Sequence, residues 1–539
     1  MTGFTLLIVA LFLLPLAALL VLALSGGTED LRHLAVTVLP GSALVTAQVM
    51  LLVAIFTGSI GVVSAWLVIS FDFPFRRTLS WMLVLPIAMP AYIASYSFVE
   101  FLHFAGPVQS AVRAVFGFKT NADYWFPDVR SVWGAGFILS AVLYPYVYLS
   151  TRVVFLMQGR NAADVARSLG ASPLRVFVKV LLPMARPAIV AGVSLALMET
   201  LNDIGAVEYL GVRTLTFSVY NTWLSRGSLA GAAQIAVIML TIVFALLAIE
   251  AHARRQLRFS GTWSANYSNR PVRRRLGGAV GLAASLACLL PVLTGFGIPF
   301  LVLLRFALNR LEQFMAPEFR AALYNSLMTG TLTAAITVSV SLFLIHAGRI
   351  QHIRRMPLAM RLASMGYALP GTVLAIGLLF ALGAADRLIN SAMRVLSLPA
   401  PGLIFSGTIL AVILAASVRF LAVADSGLHS GLHKLPANLD HAARNLGRTA
   451  REATVQITLP LLRPAILTSI VLVFVDTVKE LPATILLRPI GFNTLATLVY
   501  ENASRAAVED GAVAALAIVL TSLFPVIILS HALSSDRHA

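Results

Sequence analysis

Charge is scarce in this sequence of 539 residues: Asp, Glu, Lys and Arg together make up 12%. That is about half the share usual in soluble globular chains, and a soluble fold so poor in charge could not cover its own surface. Disorder is excluded by the same shortage, since disordered chains combine high charge with low hydrophobicity, and here hydrophobic residues reach 58%. Cysteine occurs once, as Cys288, which excludes an intrachain disulfide and any cysteine-based zinc or iron–sulfur centre. Lysine occurs four times, as Lys119, Lys179, Lys434 and Lys479, and never after a glycine. A phosphate loop of the form Gly-x4-Gly-Lys-Ser/Thr is therefore missing; the nearest string, Gly117-Phe-Lys119-Thr120, has the wrong spacing. No catalytic constellation and no metal site is assigned.

What is present is long apolar runs, with a mean hydropathy of +0.87. Runs long enough to span a bilayer fall near 4–24, 43–70, 79–105, 131–157, 187–207 and 231–251, then near 281–304, 324–346, 358–384, 403–424, 464–486 and 512–532. They are continuous rather than alternating, which argues against a β-barrel. The fold class is an all-α polytopic membrane protein with about twelve transmembrane helices. The first run, preceded by no basic residue and long enough to span, is expected to be a retained helix rather than a signal peptide. A net charge of +17 in a soluble domain would suggest nucleic acid. In a membrane protein the ordinary cause is Arg and Lys collected in cytoplasmic loops, and no nucleic-acid partner is expected. With the N-terminus inside, cytoplasmic segments hold about 25 Lys and Arg and outer loops about 13, so both termini are expected in the cytoplasm.

The chain repeats itself. Residues 182–189 read LPMARPAI and residues 459–466 read LPLLRPAI, 277 positions apart. At the same spacing Ala166, Leu169 and Gly170 match Ala443, Leu446 and Gly447, while Glu199 aligns with Asp476 and Asp203 with Glu480. Two six-helix repeats of the same orientation follow, parallel about an axis along the membrane normal. The expected domains are residues 1–255, a basic cytoplasmic linker over 256–277, and residues 278–539.

Each repeat carries one patterned segment between its fourth and fifth runs. Ala162, Val165, Ala166 and Leu169 sit at i, i+3, i+4 and i+7, as do Leu439, Ala442, Ala443 and Leu446, so each set predicts a helical apolar stripe. Gly170 and Gly447 stand where a helix C-cap favours glycine. Ser172-Pro173 then starts a new helix, and Thr449 with Glu452 forms a capping box. Two interfacial helices resting on lipid would share this pattern, but the second copy with matched spacing weighs against that explanation.

This spacing resembles the "EAA" loop of permease subunits of binding-protein-dependent ABC importers. The resemblance covers nearly the whole chain and implies coupling residues Asp164, Ala166, Gly170, Leu182, Pro183, His441, Ala443, Gly447, Leu459 and Pro460. Asp164 and His441 stand where the family pattern has glutamate. The segments Lys479–Pro489 with Gly491–Thr497, and Glu199–Ala206 with Thr216–Trp223, resemble signatures of the ferric-iron branch, whose fused permeases have twelve helices. The resemblance implies a non-enzymatic transport subunit of the bacterial inner membrane. It implies cytoplasmic ABC ATPase subunits in two copies, ATP bound there and no cofactor on this chain, and a periplasmic solute-binding protein. Ferric iron is the expected cargo, with thiamine or another small solute as the alternative; an ion-gradient-driven carrier is the rival outside the class.

Four acids lie within the fifth runs. Glu199, Asp203, Asp476 and Glu480 are costly in a membrane and expected to face a cavity or a partner. Contact with a hard cation, lining of the path, and local ion pairing all remain open for them. Tyr92, Tyr96, Tyr144, Tyr146 and Tyr148 are expected mainly as packing or interface aromatics.

Overall fold

The computed structural model describes residues 2–157, 159–256, 273–351, 366–367, 369–433, 435, 447 and 449–534. Among these the chain is helical almost throughout. The first repeat opens with α1 (Thr2–Ser25), α2 (Thr28–Thr37) and α3 (Leu39–Ser70). Beyond the short strand β1 (Phe71–Asp72) come α4 (Arg76–Met82), a 3-10 turn at Leu85–Ala88, α5 (Ala91–Leu102), α6 (Pro107–Phe116) and α7 (Val132–Met157). Then follow α8 (Gly159–Ser168), α9 (Pro173–Val176), α10 (Leu182–Asn202), α11 (Ile204–Tyr209), α12 (Leu215–Leu224) and α13 (Leu229–Gln256).

Past strand β2 (Arg274–Arg275), the second repeat holds α14 (Gly278–Val292), α15 (Ile298–Asn309), α16 (Pro317–Gln351), α17 (Gly371–Val395) and α18 (Ile409–His433). It ends with α19 (Ala450–Ala453), α20 (Leu459–Val478), α21 (Thr484–Leu487), α22 (Leu495–Ser504) and α23 (Val508–Ser534).

Eleven described helical stretches are long and apolar enough to cross a membrane. A twelfth is reached by counting Arg76–Ala88 and Ala91–Phe116 together, which bend by 98°. The run expected at 79–105 is therefore not one straight helix. Its break follows from Pro90. Met89 precedes Pro90 and is driven to an extended backbone (φ −94°, ψ 111°), because a following proline disfavours the helical region. Pro370, at the matching place in the second repeat, precedes α17 as Pro90 precedes α5 (φ −57°, ψ 137° and φ −60°, ψ 138°).

Prolines also explain three five-residue π segments, at Phe177–Leu181, Leu293–Gly297 and Thr454–Thr458. Each is followed, after one intervening residue, by a proline: Pro183, Pro299 or Pro460. A proline ring crowds the carbonyl four residues back and offers it no N–H. The helix answers by widening: Leu182, Ile298 and Leu459 donate to Phe177, Leu293 and Thr454, five residues back. The first and third segments are 277 residues apart, so the widening is part of the repeat.

The residues gather into two compact units. One comprises Met1–Val36, Ser218–Ile238 and Glu312–Glu501. In it α16, α18 and α20 pack together around Val338, Phe420, Leu428 and Val473. Ser326, Thr329, Thr333, Thr337 and Ser341 form a buried line of small hydroxyl residues along α16, the residue type that lets membrane helices approach closely. Helix α1 lies against α17, so close that a Cβ on Gly377 would fall 2.1 Å from the Pro15 carbonyl oxygen.

The other unit comprises Thr37–Phe217, Met239–Leu311 and Asn502–Ala539. Its centre is α3 against α7 and α10, where a Cβ on Gly61 would lie 2.7 Å from Val147. The helix formed by α14 and α15 docks here, and a Cβ on Gly295 would meet the Ala141 carbonyl oxygen at 2.0 Å. Each unit thus contains the opening helix of the other repeat. The described end of the connector is also tied down. Strand β2 pairs in parallel with β1, and the Leu276 N–H donates to the Asp72 carbonyl at 2.8 Å.

These contacts are with backbone atoms, which cannot step aside. Gly377→Leu and Gly295→Leu are each expected to cost about 1–3 kcal/mol through overpacking. The loss should appear as a lower thermal midpoint in detergent. Gly41→Leu is the control, because nothing lies within 4 Å of the added Cβ, and it should leave the midpoint in place.

Candidate functional site

The patterned segment of the first repeat folds as two short helices with a tight turn. Helix α8 ends at Gly170, whose φ of +83° is the left-handed conformation glycine adopts without strain. The Ala171 N–H reaches back to the Ala166 carbonyl at 3.0 Å and the Gly170 N–H to Arg167 at 2.9 Å, closing the last turn. Ser172 then caps α9, its hydroxyl accepting from the Arg175 N–H at 3.4 Å, with Pro173 at the first helical position.

Burial divides the expected stripe. Ala163 and Val176 are buried in the unit's core beside Phe155 and Leu181, with Ala166 packed at their edge. The Trp66 ring stacks on Phe177 at 4.4 Å, anchoring the π segment. Val165, Leu169, Leu174 and Val178 face outward, with Leu169 82% exposed. The segment therefore grips its own bundle through Ala163, Ala166, Val176 and Phe177, and turns Val165, Leu169, Leu174 and Val178 to whatever lies outside. Asp164 lies within α8, and Leu182 and Pro183 open α10.

In the second repeat His441 and Ala443 lie outside the described residues. What is described repeats the first geometry. Gly447 has φ +80°. The Thr449 N–H donates to Glu452 Oε2 at 2.9 Å while the Glu452 N–H donates to Thr449 Oγ1 at 3.3 Å, a complete capping box. Leu459 and Pro460 open α20 directly after the π segment.

The membrane acids have identifiable partners. Asp203 Oδ1 accepts from the Ala206 N–H at 2.7 Å and so caps α11. Glu480, its match in the repeat, caps α21: Oε1 accepts from the Ala483 N–H at 2.8 Å, and Oε2 from the Thr484 N–H at 2.9 Å and from the Thr484 hydroxyl. Glu480 also pairs with Arg419 at 2.9 Å, both side chains almost fully buried. Val142 occupies the position corresponding to Arg419 in the first repeat. Asp476 pairs with Lys479 at 2.8 Å and is half-buried, as is Glu199. Glu199 and Asp203 belong to one unit, Asp476 and Glu480 to the other. Among the described residues no three His, Cys, Asp or Glu side chains are grouped to hold a metal ion.

Other polar residues escaped the sequence reading. Arg419 was legible as the lone arginine inside an apolar run. Asp386 is buried within α17 and accepts from the N–H groups of Ile404, Phe405 and Ser406 at 2.8–3.1 Å, shaping the loop ahead of α18. Asp425 and His429, one turn apart on α18, meet at 3.1 Å; His433 follows one turn on, and its side chain is not described. The Lys119 and Thr120 amides both donate to Asp123 Oδ2, at 2.8 and 2.7 Å, so they are not presented to a phosphate. These bonds, led by that from Thr120, hold the Asp123 carboxyl below its ordinary range. Tyr96, Tyr144 and Tyr148 are packing residues, buried in full, with the Tyr148 hydroxyl donating to the Ser80 carbonyl at 2.8 Å.

A duplicated helical membrane protein with a matched surface loop in each repeat is built as the membrane part of a transporter. The chain belongs to the family described as binding-protein-dependent transport system inner membrane component, which matches residues 57–259 and 345–537. It is a permease subunit of an ABC importer and a multi-pass inner membrane protein. It is 25% identical over 499 residues to the Fe(3+)-transport system permease protein FbpB 2 of Haemophilus influenzae, covering 90% of this chain and 88% of that protein. It is 26% identical over 255 residues to the probable sulfate transport system permease protein cysT of Nephroselmis olivacea, which takes in 46% of this chain and 87% of that one. To the molybdenum transport system permease protein ModB of Escherichia coli it is 25% identical over 216 residues, or 39% of this chain and 90% of that one.

Arg419→Leu strands the buried Glu480 carboxylate and is expected to cost about 3–5 kcal/mol. Asp203→Asn keeps a side-chain oxygen able to cap α11 and should stay within about 0.5 kcal/mol of the parent. Thermal midpoints of the two purified variants in detergent check both.

Proposed function

We propose that this permease carries ferric iron. The observation that supports the reading is the extent of the matches. The relative named for Fe(3+) transport aligns along 90% of this chain, through both repeats. The sulfate and molybdenum relatives align with less than half of it. A solute-binding protein delivers the cargo to the outer face, and the path runs between the repeats. ATP is bound and hydrolysed on two cytoplasmic ATPase subunits, one at each patterned segment, with both termini of this chain on the same side. The sequence division into 1–255, 256–277 and 278–539 describes the duplication on which this arrangement rests.

In this reading α8 and α9 are the docking element. Val165, Leu169, Leu174 and Val178 meet the ATPase, because exposed apolar residues clustered on one short element mark an interaction site. Asp164, Ala166, Gly170, Leu182 and Pro183 shape the element and its passage into α10, and His441, Ala443, Gly447, Leu459 and Pro460 do so in the second repeat. Movement of the ATPase is thereby passed to the fifth span of each repeat. Glu199 and Asp476, each half-buried in its own unit, are the carboxylates that suit a hard cation, which favours oxygen ligands. Asp203 and Glu480 hold the ends of α11 and α21.

Two measurements test this. Vesicles holding the permease, its ATPase and its binding protein should take up labelled ferric iron only with ATP, and labelled sulfate, molybdate and thiamine not at all. Uptake of one of those three instead of iron overturns the cargo. Leu169→Asp with Leu174→Asp should weaken ATPase co-purification at least tenfold, about 1.4 kcal/mol, at unchanged permease yield. Full retention of the ATPase would remove this element from the interface.

A further inference from the structure

The segments following the fifth spans match closely, now 280 residues apart. Gly211 and Gly491 both take positive φ, +70° and +79°. The Leu215 N–H donates to Thr46 Oγ1 at 2.9 Å, and the Leu495 N–H to Ser326 Oγ at 2.7 Å, joining equivalent residues in each repeat. Helices α12 and α22 are therefore the same element, anchored in the same way.

Tyr220 on α12 and Tyr500 on α22 occupy the same register of that element. Both belong to the unit containing Glu312–Glu501. Their hydroxyl oxygens lie 3.1 Å apart, either able to donate to the other. Symmetry gives this contact its meaning. Two groups exchanged by a twofold axis can touch only where the axis passes. A single path built from two repeats must run along that same axis, since a path elsewhere would occur twice. A tyrosine pair that meets on the axis stands across the path.

The second-repeat side is braced. Glu501, next to Tyr500, accepts from Arg488 at 2.6 Å and from Asn493 at 3.0 Å. Tyr500 itself is 9% exposed. The closing bond is by contrast one neutral hydrogen bond, whose net worth corresponds to roughly a two- to tenfold change in population. That suits a contact that must form and break in every cycle.

We propose that Tyr220 and Tyr500 form a hydrogen-bonded gate across the translocation path, closed in this structure and parted when cargo passes. The proposal rests on the reading of the chain as a permease with its path between the repeats.

The test uses the complete complex in vesicles and reads ATP hydrolysis, so it does not depend on the cargo. Without binding protein, Tyr220→Phe, Tyr500→Phe and the double variant should each raise basal hydrolysis two- to tenfold. The double variant should rise less than the product of the two single effects, because the bond between the two hydroxyls is lost in each. Additive effects, or no rise in folded variants, would overturn the gate. A second measurement places Tyr220→Cys and Tyr500→Cys in a Cys288→Ala background. A cleavable bifunctional thiol reagent that bridges both sites, as verified by mass spectrometry, should abolish binding-protein-stimulated hydrolysis until it is reduced. Modification by its monofunctional analogue should not. Stimulation that survives the bridge also overturns the gate. A wild-type complex that binding protein never stimulates would instead overturn the importer reading itself.

Discussion

A backbone amide placed where water does not reach must find an acceptor within the protein, and this constraint governs every interruption in the helices described here. The chain breaks its helices often, and at several of the described breaks the accepting oxygen can be named. At the ends of the fifth spans the oxygens come from Asp203 and Glu480. At the starts of α12 and α22 they come from Thr46 and Ser326. Before α18 one carboxylate, Asp386, accepts three amides. Where proline interrupts without ending a helix, the ladder shifts to a carbonyl five residues back. Acidic and hydroxyl residues in apolar surroundings are thus first the means by which non-helical backbone is tolerated.

The duplication shows which features serve both repeats and which serve one. Glycine caps, π segments, capping acids and hydroxyl anchors are held in common. The second repeat pairs its capping acid with Arg419, at a position where the first has Val142. It also fills the buried line of α16 with hydroxyls. The matching residues of α3 are Thr46, Val49, Val53, Thr57 and Gly61, three of them without a hydroxyl. Along the corresponding line the first repeat has two hydroxyl residues and the second has five, although the backbone pattern is shared.

Much of this was legible in the sequence because the signals are local. Run length reveals spans, glycine after a periodic stripe reveals the turn at Gly170, and Thr449 with Glu452 reveals a cap within one turn of helix. The break at Pro90 was legible in principle, since residues before proline avoid helix, but a hydropathy run passes over it. The division of the first stripe was not legible. Spacing groups Val165 with Ala166, and only the surrounding bundle decides that one faces out and the other in. Arg419 lies 61 residues from Glu480, and the amides that Asp386 accepts lie 18–20 residues from it. No periodicity encodes such pairings. The seating of α1 against α17 was likewise invisible, because a helix apolar on all sides does not announce its neighbour.

That seating bears on how the protein is made. Pro15 meets Gly377, about 360 residues later in the chain. At about 5–20 residues per second, the first helix emerges roughly 20–70 seconds before its neighbour exists. Through that interval lipid or the insertion machinery must shelter it. The opening helix of the second repeat finds α3, α5 and α7 already made, and waits only for α23. Tethering the repeats in one polypeptide therefore sets an order of assembly in which the earliest helix is among the last to be seated.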